Sequence, residues 1–120
     1  MLTFEKVIDE TNLVVEEMFS SHDLPAAQDV AYCIKADDTY VGIIDYSLQQ
    51  SKAILSYLLI HHDYEGYGYG TNAYYTFEEI VKRDDVKEIE VTLTDKNERV
   101  IAFFEQFGFQ QNNHVYIKQL

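Results

Sequence analysis

Ala53-Ile54-Leu55-Ser56-Tyr57-Leu58-Leu59-Ile60 runs directly into His61-His62-Asp63-Tyr64 and then into Glu65-Gly66-Tyr67-Gly68-Tyr69-Gly70. The first stretch is nearly continuously apolar, as expected of a central strand buried on both faces, and too short to cross a bilayer. Glycine at every second position of the last stretch admits positive φ and removes side chains that would block close approach. Successive backbone N–H groups there can converge on one anion. Behind them Thr71 to Arg83 carries Ala73, Tyr74, Phe77, Ile80 and Val81 on one face, the signature of an amphipathic helix. Its N-terminus adds unsatisfied donors and the positive end of a dipole. Strand, glycine loop and helix together read as a cradle for a phosphate or pyrophosphate.

The spacing excludes two familiar cradles. In the dinucleotide fingerprint G-x-G-x-x-G the third glycine comes one residue later than Gly70, and a Walker A loop needs a lysine where Gly70 meets Thr71. The remaining alternative is a glycine-rich turn that only connects strand to helix.

Outward from this unit, Leu2 to Ile8 reads as a strand, and Leu13, Val14, Met18 and Phe19 place a helix over residues 10–19. Ala31 to Lys35 and Tyr40 to Leu48 form a hairpin through Ala36-Asp37-Asp38-Thr39. Downstream, Val86 to Leu93 alternates as a half-buried strand. Asp95-Lys96-Asn97 offers an N-cap for a helix whose Val100, Ile101, Phe104 and Phe107 share a face and which ends at Gly108. Val115 to Lys118 is a last strand. The order β-α-β-β-β-α-β-α-β predicts one α+β domain over residues 1–120, with helices on the faces of a mixed, mostly antiparallel sheet.

Nine Lys plus Arg against 21 Asp plus Glu give a net charge of −12. That surface repels nucleic-acid backbones and anionic membranes, and it favours cationic small molecules or basic peptides. The single cysteine, Cys33, forms no internal bridge, which with the charged start Met1 to Lys6 predicts a cytoplasmic protein.

The glycine segment resembles the acyl-CoA-binding motif of the GNAT superfamily of N-acyltransferases, Gln/Arg-x-x-Gly-x-Gly/Ala. Asn97-Glu98-Arg99-Val100-Ile101-Ala102-Phe103-Phe104-Glu105-Gln106-Phe107-Gly108-Phe109 resembles a second pattern of that family, an Asn opening a helix that ends in aromatic-Gly-Phe. The resemblance covers nearly the whole chain. It implies that the strand Ala53–Ile60 and the strand Val86–Leu93 splay apart, with pantetheine in the V. It implies the CoA pyrophosphate on backbone N–H groups of Glu65, Gly66, Gly68, Gly70 and Thr71, and an oxyanion donor near Leu59 or Ile60. Asn97, Arg99 and Phe104 would complete the cofactor site, with Lys96 and Arg99 as cations for the ribose phosphate. The implied activity is acetyl transfer from acetyl-CoA to a primary amine, a small cationic amine or lysine side chain, in a ternary complex, by a monomer or homodimer.

Three departures from the family's pattern stand out. Glu65 stands where the loop usually opens on Arg or Gln. Phe104 stands where many members have a Tyr that protonates the leaving thiolate. Ser56 and Tyr57 stand where a strand Glu often acts as base. Proton transfer by a positioned group is worth about 10²–10⁴-fold, so these departures also fit a catalytically degenerate domain serving as a CoA-binding or protein-interaction module. His61, Tyr57 and Tyr116 are the substitutes for acid and base. No metal site is expected, because His61 and His62, as neighbours on a strand, would point to opposite faces.

Overall fold

In the computed structural model, which describes residues 2–6, 31–92 and 98–120, the strands are β1 (Leu2–Lys6), β2 (Ala31–Ala36), β3 (Thr39–Gln49), β4 (Lys52–Ile60), β5 (Glu88–Val91), β6 (Gln110–Asn112) and β7 (Val115–Gln119). The helices are α1 (Tyr69–Arg83) and α2 (Glu98–Glu105). The helix expected over residues 10–19 lies outside the described residues, as do Lys96 and Asn97.

One seven-stranded sheet runs in the order β1-β2-β3-β4-β5-β7-β6, and only β4 and β5 pair in parallel. The α+β architecture is the expected one, with one strand more. Gln110-Gln111-Asn112 is wholly exposed and carries no apolar alternation, so nothing in its composition announces β6. It forms because Asn113, at φ 60°, turns the chain back onto β7.

A bulge in β4 sets the geometry of everything that follows. Leu55 lies opposite Tyr46 and Tyr57 opposite Asp45, leaving Ser56 as an extra, exposed residue. One inserted residue shifts the phase of the alternation. Ala53 and Leu55 are fully buried in the main core, and beyond the bulge it is Leu58 and Ile60, not Tyr57 and Leu59, that pack against that core.

The β4–β5 pairing stops one residue before the bulge. Its register runs from Lys52 opposite Glu88 to Leu55 opposite Val91, and the strand expected from Val86 is confined to Glu88–Val91. Among the described residues the β4–β5 ladder has no rung beyond Leu55 and Val91. The His61 N–H donates to the Val41 carbonyl at 2.9 Å. By alternation along the ladder, the backbone groups of Leu59 also face β3, while those of Leu58 and Ile60 face the open edge.

Two packing details hold the frame. Gly42 sits opposite Ile60, where a Cβ would collide with the Leu59 carbonyl oxygen and lie 2.9 Å from the Ile60 Cδ1. The C-terminus of α2 closes with the Phe109 N–H on the Phe104 carbonyl and the Gly108 N–H on that of Glu105, with Gly108 at φ 99°. This is a Schellman motif, and its apolar contact is the edge-on pair Phe104–Phe109 at 5.4 Å. The aromatic core is completed by Tyr74 stacked on Phe107 at 4.0 Å.

Candidate active site

α1 begins two residues earlier than the sequence pattern suggests. Gly68, at φ 78°, is its N-cap, so Tyr69 and Gly70 belong to the first turn. The Asn72 N–H makes a helical bond back to the Gly68 carbonyl at 3.1 Å. The first turn has neither a capping side chain nor an acidic residue. The N–H groups of Tyr69, Gly70 and Thr71 therefore stand at an uncompensated positive helix end. The Glu65 N–H, expected among the phosphate donors, is turned back on the His62 carbonyl at 3.4 Å.

Between the open edge of β4, this helix start and α2 lies a cleft of about 370 Å³, lined by Leu58 and Ile60, Glu65 and Gly70, and Arg99, Val100, Phe103 and Phe104. The volume is that of a small-molecule site. Gly70 lies on the wall between Phe103 and Ile60: a Cβ there would be in ordinary contact with the Phe103 ring at 3.5 Å and with Ile60 at 3.8 Å. The cleft thus gathers Ile60, Glu65, Gly70, Arg99 and Phe104 from the expected cofactor site, and it adds Leu58, Val100 and Phe103. Leu59 is not on its wall, because its polar groups point to β3. Gly66 and Gly68 stand in the loop at its mouth, and Asn97 lies outside the described residues. The apolar patterning that marked Leu58 and Phe103 as core hid their second role as cleft walls.

The three acid-base candidates do not meet in the cleft. Tyr57 is on the other face of β4, opposite Asp45, its phenol pushed up by burial and by the negative charges of Asp45 and Cys33. Tyr116 lies in the core on β7 opposite Val91. His61 caps the 3-10 turn His62–Tyr64, its Nδ1 accepting the Asp63 N–H at 3.3 Å. The expectation that His61 and His62 diverge rested on a strand; the chain leaves β4 at Ile60, and the two rings lie 4.2 Å apart in the turn.

Two buried carboxylates escaped the sequence reading. Glu78 accepts hydrogen bonds from the Tyr74 hydroxyl and the Lys118 ammonium, each at 2.6 Å, and lies 3.1 Å from Lys82. Burial raises its pKa, but these donors outweigh burial and the net shift is downward. Asp45, 1% exposed, has no side-chain hydrogen-bond partner on either oxygen among the described residues. Burial raises its pKa, and the nearby Tyr46 backbone N–H offsets that only in part. Cys33, also buried, has its thiol pushed up to about 11 by burial and Glu5, which leaves it inert as a nucleophile.

The end of the β4–β5 ladder at Leu55, the glycine loop and the uncapped helix start thus meet at one cleft. The model of the Acetyltransferase (GNAT) family matches residues 4–109, and the chain belongs to that family. A search of the curated proteins finds no match. Among solved structures, an acetyltransferase from Thermus thermophilus superposes with a TM-score of 0.83 at 22% identity, over 100% of this chain and 97% of that one. Arabidopsis thaliana Naa50, in complex with the bisubstrate analogue CoA-Ac-MVNAL, gives 0.81 at 16% identity over 99% of each chain. The PaiA N-acetyltransferase of Thermoplasma acidophilum, in complex with coenzyme A, gives 0.77 at 14%, over 100% and 99%. At these identities the likeness is one of fold.

Proposed function

We propose that this protein is an acetyl-CoA-dependent N-acetyltransferase acting on a primary amine, with a small cationic amine or a lysine side chain as acceptor class. The observation that carries the reading is the convergence of the open β4 edge and the uncapped start of α1 on one cleft. Pantetheine would add to that edge through the backbone groups of Leu58 and Ile60, as an extended ligand adds to an unpaired strand. The pyrophosphate would rest on N–H groups from Gly66 to Thr71, with Arg99 as the cation on the cleft wall. The related folds crystallised with coenzyme A or a CoA bisubstrate analogue support this co-substrate.

In the reaction the neutral amine nitrogen attacks the thioester carbonyl carbon, the C–N bond forms, the C–S bond breaks to release the CoA thiolate, and the nitrogen gives up one proton to water. A Leu58 or Ile60 N–H would stabilise the oxyanion. Phe104 offers no proton, so the thiolate leaves unprotonated or draws a proton from water. Most of the rate would then come from positioning, which needs few side chains. The surface charge of −12 favours a cationic acceptor.

Phe104 and Glu65 on the cleft wall favour a second reading, a domain that binds CoA without turnover and acts as an interaction module. Calorimetric titration of acetyl-CoA, followed by thiol-release assays on a panel of primary amines, separates the two. Saturable binding with amine-dependent thiol release supports the enzyme; binding without release on any amine supports the module. No binding by folded protein overturns the enzyme and the CoA-binding module and points to a protein-interaction module.

A further inference from the structure

We propose that His61, His62 and Asp63 form a site for a divalent transition-metal ion of the zinc class, in the turn that joins β4 to the glycine loop. The turn supplies what a strand could not. His61 ends the extended chain at φ −61° and ψ 140°, and the 3-10 winding of His62–Tyr64 brings three consecutive side chains to one side. One ligand atom from each residue lies within 4.8 Å of the other two. The Asp63 carboxylate bridges the rings: Oδ1 is 3.2 Å from the His62 Nε2, and Oδ2 is 3.6 Å from the His61 Nδ1. Ligand atoms on a tetrahedral ion with bonds of about 2.0–2.1 Å sit about 3.3–3.4 Å apart, so the His62–Asp63 edge at 3.2 Å is already set, and the other atoms, within 4.8 Å, need a small side-chain adjustment.

One ligand nitrogen is identified by its hydrogen bond. The Asp63 N–H donates to the His61 Nδ1, so that nitrogen carries its electron pair, directed at the Asp63 N–H, rather than a proton. At 3.3 Å that bond is long, and an ion on the same lone pair would replace it. The Asp63 Oδ2, 3.6 Å from that nitrogen, lies close enough to join it on such an ion. Two imidazole nitrogens and one carboxylate oxygen suit zinc and its neighbours, not the all-oxygen cations. Entry is open, since the side chains of His62 and Asp63 are 75% and 68% exposed, and water can complete the coordination. The protein's negative field draws cations to the surface. Nothing in this site depends on the acetyltransferase reading, although an ion here would brace the turn that carries Glu65 to the cleft.

The test is a titration of zinc chloride into the full chain, first stripped with a chelator, by calorimetry and by thermal melting. The expected result is saturable binding of one equivalent in the micromolar range and a rise in Tm on adding zinc. His62→Ala and Asp63→Asn should each weaken binding by at least about tenfold and abolish the Tm rise. Both positions are exposed, so unchanged circular dichroism will show that the fold persists. His114→Ala, remote in sequence, should bind zinc as the parent does. Absence of saturable binding overturns the proposal, and so does binding that survives both His62→Ala and Asp63→Asn.

Discussion

The ring of Phe103 on α2 faces Gly70 on α1, 3.5 Å from the point a Cβ on Gly70 would occupy. That distance is ordinary van der Waals contact, so Gly70→Ala should fold well and gain up to about 1 kcal/mol from helix propensity. Gly70→Leu should instead fill the space between Ile60 and Phe103. Acetyl-CoA affinity, measured by calorimetry, is expected to fall by at least about tenfold, or about 1.4 kcal/mol, while the melting temperature stays near that of the parent.

Glu65 puts a carboxylate on a cleft wall proposed to hold phosphates. Glu65→Gln removes the repulsion, and Glu65→Arg replaces it with attraction and a bidentate donor. CoA affinity should rise in that order, by about three- to tenfold for the arginine, with the gain shrinking as salt is raised. An unchanged affinity would place the phosphates elsewhere.

Gly42→Ala tests the β3–β4 frame. The added methyl would meet the Leu59 carbonyl and the Ile60 Cδ1, and backbone cannot step aside as a flexible side chain can. Equilibrium urea unfolding should show a loss of about 1–3 kcal/mol, larger than the small gain alanine brings by stiffening the unfolded chain.

Glu78 gives a pH signature. Its folded pKa is lowered, so its contribution is fully present above the unfolded glutamate value and is lost as pH falls through the folded one. Glu78→Gln should cost about 1–3 kcal/mol at neutral pH, because the Lys118 ammonium loses its partner. Melting curves of parent and variant should converge in acid.

Asp45 carries the opposite sign. Its folded pKa is raised by burial, so the ionised form destabilises the protein above that pKa and the penalty fades as pH falls. Asp45→Asn should therefore stabilise by about 1–2 kcal/mol at neutral pH, and the gain should vanish in acid. A loss of stability at neutral pH would show that the carboxylate has a partner in solution.

Much of the site was legible because its signals are local. The glycine spacing, the apolar run from Ala53 to Ile60 and the aromatic-Gly-Phe ending each follow from the conformations of a few neighbouring residues. The boundaries were less so: α1 starts at Tyr69 because Gly68 takes the left-handed cap, a choice made among several glycines by the surrounding chain.

By itself, then, the sequence determined most of the described elements and their order, the family resemblance and the glycine-rich loop, all set by periodicity and backbone freedom within short windows, while β6, with no apolar alternation, escaped it. Tertiary structure alone decided which side of β4 faces the cleft, through the one-residue bulge at Ser56 and the end of β5 at Val91. It decided that Gly42 must be glycine, since the opposing strand crowds it. It decided that Glu78 meets Lys118 from 40 residues away, and that Asp45 is buried with no side-chain partner among the described residues. Each of these is a contact between segments distant in the chain, and pairing, burial and charge compensation at such contacts exist only once the sheet has closed its register.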